Sequence, residues 1–246
     1  MGSAEWSSNI YNGNMSPPNS SLEAGAAARR YHHGDLHATL LRLALDMLEQ
    51  QGVEGLTLRA LAREAGISHA APKNHFDDLT GLLSEVAAVG YARLAEALEN
   101  AAAAAPDDPR RRMVALGHAY VARAHAQPGL FRLMFRDACL DFDRPALREA
   151  SARSRAVMLD ALNHGPRGEG GGAPGLRRGG GEAVGAGSST GPGAGSDAGL
   201  EVALVAAWSL VHGYAVLLTD GRLDRALQHT GMGWEAMLDG VFASLR

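Results

Sequence analysis

Residues 57–83 read TLRALAREAGISHAAPKNHFDDLTGLL, and this stretch contains two short helical segments joined by a glycine-centred turn. Thr57 is a good N-cap for the first segment, in which leucine and alanine recur at helical spacing. Gly66 supplies the positive φ that a tight turn between two helices needs. Ser68 is expected to cap a second helix that runs to about Phe76. The spacing predicts a helix-turn-helix, with a plain helical hairpin as the alternative.

The second segment is too short and too polar to belong to a core. Its exposed positions carry groups that can reach base edges or phosphates in a DNA major groove. One of them, Lys73, is the only lysine in the chain. Upstream, Tyr31 and His33 can contact backbone phosphate or a minor groove, with a solvated tail as the alternative. The candidate DNA-binding residues are Tyr31, His33, Thr57, Arg59, Ser68, His69, Ala70, Lys73, Asn74 and His75.

Helical spacing continues on both sides of this stretch. Asp35 is a good N-cap for a helix that ends at Gly52, expected to be its C′ residue. Downstream, apolar residues at helical spacing and prolines at segment ends predict the remaining helices. They cover approximately residues 80–104, 110–127, 129–135, 143–163, 200–219 and 231–245. The pattern predicts an all-α protein of about nine helices.

The composition agrees with a helical protein that is not strongly basic. Hydrophobic residues make up 46% of the chain, and its formal net charge is −4, so no global basic field indicates a nucleic-acid partner. Cys139 is the single cysteine, which favours an intracellular, cytoplasmic location. Residues 202–218 are apolar but number fewer than the roughly 20 that a membrane span needs. We expect this helix to be buried on two sides, in a core and in a subunit interface.

Two segments have the composition of disordered chain. Residues 1–28 are polar and rich in Ser, Asn, Gly and Pro. Residues 165–199 are rich in glycine and have no apolar periodicity, which predicts a flexible insertion between two helices.

Residues 35–83 resemble the DNA-binding domain of TetR-family transcriptional regulators. The family pattern TxRxLAxxAGxS corresponds to TLRALAREAGIS here, and xxxxYxxFxxKxxLL corresponds to HAAPKNHFDDLTGLL. YHHGDL at 31–36 is similar to a family start. AHAQPGLFRLMF at 124–135 and AAWSLVHGYAVLL at 206–218 resemble the WHG-type C-terminal domain of one subgroup, through Trp208, His212 and Gly213. The resemblance covers residues 31–163 and 200–245.

The resemblance implies a homodimer that binds a palindromic operator, most often as a repressor, and responds to a small molecule. It implies a helix-turn-helix domain at 29–79 and a helical ligand-binding and dimerisation domain at 80–246, joined to its partner subunit through the last two helices. The half-sites of such an operator lie about 34–36 Å apart. Candidate ligand-binding residues, for each of which core packing is the alternative, are His118, Phe131, Met134, Phe135, Trp208 and His212.

Three positions depart from the family pattern, which usually has Tyr, Arg and Lys where this chain has Lys73, Asn74 and Leu79. The Tyr and the Lys usually meet phosphates, so the change at Leu79 removes an expected cation while Lys73 adds one nearby. These departures motivate an alternative function, a helical small-molecule-binding or interaction protein with weakened or lost DNA binding.

Other classes of function have little support in the sequence. It contains no arrangement of a nucleophile with a base and no phosphate-binding loop. His32, His33 and His37 lack the cysteine or carboxylate pair that would complete a metal site. We therefore expect neither catalysis nor a cofactor.

Overall fold

The computed structural model describes residues 36–163 and 194–244, and every regular element in those ranges is helical. The prediction of an all-α fold is therefore confirmed for this part of the chain. The helices are α1 (Leu36–Gly55), α2 (Leu58–Glu64), α3 (Lys73–Phe76), α4 (Leu79–Ala104), α5 (Pro109–Ala126), α6 (Pro128–Met134), α7 (Pro145–Asn163), α8 (Ala194–Thr219), α9 (Asp224–Thr230) and α10 (Trp234–Ser244), with a 3-10 turn at Asp137–Cys139.

Several sequence predictions fall outside the described residues. These are the polar tail at 1–28, the N-cap at Asp35, the candidate contacts Tyr31 and His33, and residues 164–193, which include most of the predicted glycine-rich insertion. The last residues of that predicted insertion belong to α8, which begins at Ala194.

The described residues contain ten α-helices, which agrees with the prediction of about nine and adds one helix to the segments identified in the sequence. The additional helix is α9, which follows Leu223. Leu223 makes no side-chain capping hydrogen bond, so the sequence carries no Ser, Thr, Asp or Asn signal for the start of this helix.

The chain divides into two compact units, residues 1–39 and 40–246. The described part of the first unit is the beginning of α1, residues 36–39. The second unit contains the rest of α1 and all other helices, and every contact described below lies within it.

The helical signals on either side of α2 behave largely as expected. Gly52, inside α1, has φ 72° and ψ −178°, which is the positive φ expected of a helix-ending glycine, although one more turn follows to Gly55. Thr57 caps α2, because its Oγ1 accepts a hydrogen bond from the Ala60 N–H at 3.1 Å. Gly66 adopts φ 65° in the turn that follows.

The predicted start of the next helix at Ser68 is wrong. Residues 69–72 form turns, and α3 begins only at Lys73. Pro72 has no backbone N–H, so it cannot donate the bond to the Ser68 carbonyl that a continuous helix would use. That carbonyl instead accepts from the Ala71 N–H at 3.0 Å in an i,i+3 turn.

A shared core fixes these short helices. Five large side chains from α1, α2, α3 and α4 are fully buried, and each such burial stabilises the fold by about 1.5–3 kcal/mol. They are Leu40, Leu48, Leu61, Phe76 and Leu82. Asp78 then caps α4 by accepting from the Gly81 N–H at 2.7 Å, so the helix starts directly after α3.

The long helix α4 packs against α5, α6 and α7, and α8 packs against α5 and α7. One face of α8 is buried through Leu204, Val211, Ala215 and Leu218. The opposite face leaves large apolar side chains exposed, as described below. Residues Ala198–Thr219 are long and apolar enough to cross a membrane, but helices that pack in protein cores share that length and composition.

Candidate functional site

The predicted DNA-binding positions that the structure describes lie along α2, the following turn and α3. Thr57 is exposed, and its Oγ1 accepts a hydrogen bond from the Ala60 N–H at the start of α2. His75 is only partly exposed, and its ring lies beside that of the buried Phe76 with centroids 6.3 Å apart. The other positions are exposed to solvent: Arg59, Ser68, His69, Ala70, Lys73 and Asn74.

Arg63 belongs to the same segment and was not predicted from the sequence. It is exposed in the last turn of α2, four residues after Arg59, and the i,i+4 spacing was the signal that would have found it. Residues 57–76 therefore carry three cations, Arg59, Arg63 and Lys73, against one carboxylate, Glu64. This local excess of two positive charges contrasts with a formal charge of −4 for the whole chain.

Leu79, the first residue of α4, is 38% exposed. An apolar side chain is therefore exposed to solvent at a position where the family that the sequence resembles usually has a lysine. The neighbouring Asp77 is the single non-glycine residue with positive φ in the described ranges, at 64°. Asp77 turns the chain between α3 and α4 and presents its carboxylate, 80% exposed, to solvent and to Arg144.

Three carboxylates of residues 40–78 bind groups from the 129–144 segment. Glu49 Oε1 accepts from the Leu130 N–H at 2.7 Å, and its Oε2 accepts from the Gly129 N–H at 3.0 Å, so one side chain caps the start of α6. Arg136 donates to Glu54 at 2.7 Å and lowers the pKa of that carboxyl. Asp77 accepts from Arg144 Nη2 at 3.0 Å.

The other predicted site is an aromatic cluster between α6 and α8. The ring of His212 lies 4.5 Å from Phe135, 5.2 Å from Trp208 and 5.3 Å from Phe131, measured between centroids. Met134 lies at its edge, where its carbonyl accepts from the Tyr91 hydroxyl at 2.8 Å. Five of the six candidate ligand residues are therefore neighbours.

Tyr120 of α5 joins this cluster and was not predicted. It is 2% exposed, and its hydroxyl accepts from Trp208 Nε1 at 3.2 Å. The same hydroxyl lies 2.9 Å from His212 Nδ1, and it donates to that nitrogen when the neutral imidazole carries its proton on Nε2. Its signal in the sequence was the apolar spacing of α5, which places Leu116, Tyr120 and Ala124 on one buried face.

Burial keeps the titratable groups of the cluster uncharged. Desolvation lowers the pKa of His212, which favours the neutral imidazole. Desolvation also raises the pKa of Tyr120 and Tyr91 far above the ordinary value for a phenol. At neutral pH these three side chains therefore act as neutral hydrogen-bonding groups.

His118, the sixth candidate, lies elsewhere. Its Nε2 is 2.7 Å from Oδ1 of Asp239, on α10. Its ring lies 6.2 Å from those of Trp234 and Phe242. His118 thus connects α5 to α10 instead of joining the Phe135–His212 cluster.

Two cavities lie among α4, α5, α7 and α8. The larger has a volume of about 650 Å³ and reaches Phe242 of α10; the smaller has a volume of about 440 Å³ and reaches Tyr91 of α4. Of the candidate ligand residues, Trp208 lines both cavities and Phe135 lines the smaller one. Both volumes lie in the range of about 300–1,000 Å³ that is typical of sites for small molecules.

Helix α7 contacts both cavities, and the residue that precedes it binds the α3–α4 junction. Met158 lines both cavities, and Ser151, two turns earlier, lines the smaller one. Arg144, which directly precedes α7, binds Asp77. Helix α7 and the residue that precedes it therefore connect the cavity walls to the turn that follows α3.

Comparison with known proteins agrees with this architecture. Residues 113–241 match the C-terminal domain of the tetracyclin repressor-like class, and residues 40–86 match the bacterial regulatory proteins of the tetR family. The tetracycline repressor protein class A from transposon 1721 of Escherichia coli is 36% identical over 115 residues, which are 42% of this chain and 52% of that repressor. The aligned region thus spans about half the length of that relative.

Solved structures extend the likeness over most of the chain. A protein of unknown function from Rhodococcus sp. RHA1 is 30% identical, with a TM-score of 0.63, covering 88% of this chain and 96% of the other. The TetR family transcriptional regulator PfmR from Thermus thermophilus is 17% identical, with a TM-score of 0.52, covering 83% and 94% of the two chains, and shows the shared fold. Because the N-terminal and the C-terminal domains of the family are both matched in order, the chain belongs to the TetR family of transcriptional regulators.

Proposed function

We propose that this protein is a homodimeric repressor that binds a palindromic operator and releases it when a small molecule occupies the C-terminal cavities. The observation that carries this proposal is the position of α7. This helix lines both cavities, and Arg144, which directly precedes it, binds Asp77. An effector that moves α7 would thereby move the junction between α3 and α4.

Residues 29–79 form the DNA-binding domain in this proposal, and residues 80–246 form the ligand-binding and dimerisation domain. The exposed side chains of α2, the turn and α3 face the DNA, with Arg59, Arg63 and Lys73 available to phosphates. His69, Ala70 and Asn74 are the positions assigned to base edges, and Tyr31 and His33 are assigned to backbone contacts upstream. The shortness of α3 suits a segment that presents only a few side chains to the groove.

The dimer would form through α8 and α10. Residues at positions 202, 205, 206, 209, 213, 216 and 217 share one face of α8, since they repeat at intervals of three and four. On this face Val202 is 69% exposed, Val205 54% and Leu217 46%. The stripe contains no charged residue, and a Cβ added at Gly213 would meet open space, so a second helix can approach closely. Such an apolar stripe is typical of a protein–protein interface.

The effector would occupy the two cavities beside the Trp208–His212 pair. Trp208, His212 and Gly213 match the WHG signature, which supports membership of that subgroup. Phe131, Met134 and Phe135 are assigned to the α6 side of the effector site. Phe135 lines the smaller cavity, and Phe131 packs against Phe135 with ring centroids 5.2 Å apart. His118 is assigned to the same domain, where its pairing with Asp239 ties α5 to α10.

For the effector to control operator binding, it must bind one separation of the two α3 helices of the dimer better than another. In the chain, Asp77, Glu49 and Glu54 are the groups that would transmit this difference, since each binds a residue of the 129–144 segment. The name of the tetracycline repressor relative supports repression as the direction of control. We also propose a cytoplasmic location and no enzymatic role, in keeping with a transcriptional regulator.

An electrophoretic mobility shift with the promoter next to the protein's own gene tests this proposal. We expect a preference for that DNA over random duplex of equal length, and a loss of most of the affinity when one half of the palindrome is scrambled. Equal binding to the promoter and to random duplex at moderate salt would contradict operator recognition. That result would favour the alternative, a helical small-molecule-binding or interaction protein that has lost DNA reading.

A further inference from the structure

The two cavities adjoin each other but differ in polarity. The larger one has no charged side chain in its wall, whereas the wall of the smaller one includes Arg148, Arg155 and Glu201. A single molecule can extend from one into the other, because four side chains line both. These shared residues are Tyr120, Met158, Leu204 and Trp208.

The polar atoms at the junction already bond to one another. Trp208 Nε1 donates to the Tyr120 hydroxyl, and that hydroxyl pairs with His212 Nδ1. Because these donors already have partners, a ligand without hydrogen-bonding groups can fill the larger cavity and leave none of them unpaired. The rest of that wall is dominated by aliphatic and aromatic carbon, including Leu116 and Phe242. The larger cavity thus suits an apolar body.

The charged wall of the smaller cavity has a positive excess. Arg155 is paired with Glu201, whose Oε2 lies 2.5 Å from the guanidinium. Arg148 has no carboxylate within 4.0 Å among the described residues, and its guanidinium makes one hydrogen bond there, a long one of 3.4 Å to the carbonyl of Asp143. The two arginines and one glutamate leave one positive charge, and Arg148 is the group that carries it.

We propose that the effector of this regulator is an amphipathic anion, with its apolar body in the larger cavity and its anionic head at Arg148 in the smaller one. This inference rests on the proposed effector site. The aromatic side chains Tyr91 and Phe135 in the smaller wall attract cations in general. Here the excess positive charge of Arg148 opposes a cation, so an anion fits the site better.

A set of ligands that differ only in head group tests the charge of the site. Decanoate, decyl phosphate, 1-decanol and decyltrimethylammonium, each below its micellar concentration, are titrated calorimetrically into the full-length protein without DNA. Because Arg148 is exposed, we expect the anions to bind only about three- to five-fold more tightly than the alcohol, and the ammonium to bind most weakly. The ratio between decanoate and decyl phosphate separates a carboxylate from a phosphate ligand.

Substitutions locate the site. Arg148→Gln should remove the preference for anions while the alcohol still binds, whereas Arg153→Gln should leave both unchanged. Arg153 is a matched control, because it is an exposed arginine on α7 that pairs with Glu99 and lines neither cavity. Met158→Trp, which fills the space between the two cavities, should weaken all four ligands, and circular dichroism checks that each variant is folded.

The proposal is overturned if none of the four ligands binds, if the alcohol or the ammonium binds as tightly as the anions, or if Arg148→Gln keeps the preference. The ligand series on the unmodified protein gives this answer even if a variant fails to fold. Operator release is measured separately with the same ligands. If anions bind but do not release the operator, the proposed control of transcription is contradicted, while the preference of the site for anions still stands.

Discussion

Arg144 and Asp77 lie 67 residues apart in sequence, yet Nη2 of the arginine is 3.0 Å from Oδ2 of the aspartate. This ion pair joins the start of α7 to the turn between α3 and α4. Exposed pairs of this kind contribute no more than about 1 kcal/mol to stability. Its importance would therefore lie in the connection it makes, because it links the turn after α3 to the residue that precedes the cavity-lining helix α7.

Asp77→Asn is expected to weaken the effect of an effector on operator affinity while changing the free energy of unfolding by less than about 1 kcal/mol. Asparagine tolerates positive φ, so the turn at Asp77 should be preserved. Fluorescence anisotropy of a labelled operator with and without effector measures the coupling. The matched control is Glu99→Gln, which breaks an ion pair with Arg153 of α7. Neither residue of that pair is close to α3 in sequence. Equal loss of coupling in both variants would contradict a specific role for Asp77.

Lys73→Ala should weaken DNA binding and flatten its dependence on salt by about one unit of slope, because one phosphate contact is lost. Leu79→Lys should strengthen binding and steepen the slope by about one unit, since it restores a cation at an exposed position. Operator titrations at several salt concentrations measure both slopes. Arg222→Ala, which removes an exposed cation between α8 and α9, should leave the slope unchanged. An unchanged slope for Lys73→Ala would remove this residue from the interface.

Val205→Asp and Leu217→Asp, combined, should convert the proposed dimer to monomer at micromolar concentration. Two carboxylates in an apolar interface would have to be buried without partners, which costs several kcal/mol. Sedimentation velocity measures the change in mass. Ala156→Asp provides the control, because Ala156 is exposed on α7 and outside the apolar stripe of α8. A stable dimer of the double variant would exclude this face as the interface.

The unfolding free energy should fall as the pH decreases below about 6.5, the ordinary value for histidine. Burial lowers the pKa of His212 in the folded protein, so the unfolded chain binds a proton in a range where the folded chain does not. Stability consequently rises with pH through this range and levels off above it. His212→Gln should flatten the pH dependence in urea denaturation, whereas His229→Gln, at an exposed position of α9, should not. An unchanged or steeper fall in the His212→Gln variant would contradict this origin.

Short-range signals predicted most of the fold. Thr57 and Gly66 act on residues within three or four positions of themselves, so their roles follow from local backbone chemistry. Pro72 is a local feature too, but its effect is larger than the sequence suggests, because the missing N–H prevents the helix from starting at Ser68. Helix α9 has no capping side chain at its start and buries none of its residues, so the sequence offers neither a cap nor an apolar face from which to predict it.

The candidate site was predicted only in part because it depends on contacts between distant helices. His118 and Tyr120 are two positions apart on α5 and therefore point about 200° apart around the helix axis. The sequence favoured the histidine, while the packing of α5 buried the tyrosine beside Trp208 and turned the histidine toward Asp239. The pairs Glu49–Leu130 and Asp77–Arg144 have no counterpart in any spacing pattern, because they arise from tertiary contact alone.

The exposed Lys73 also gives the protein a chemical handle. Because the chain has no second lysine, an amine-selective reagent can modify one side chain only, and that side chain lies in α3. A fluorophore on this side chain would report on the surroundings of α3 without cysteine engineering, once the α-amino group of the chain terminus has been blocked. Acetylation of this one ammonium group would remove its charge, so the same chemistry in a cell would act on α3 and on no other helix.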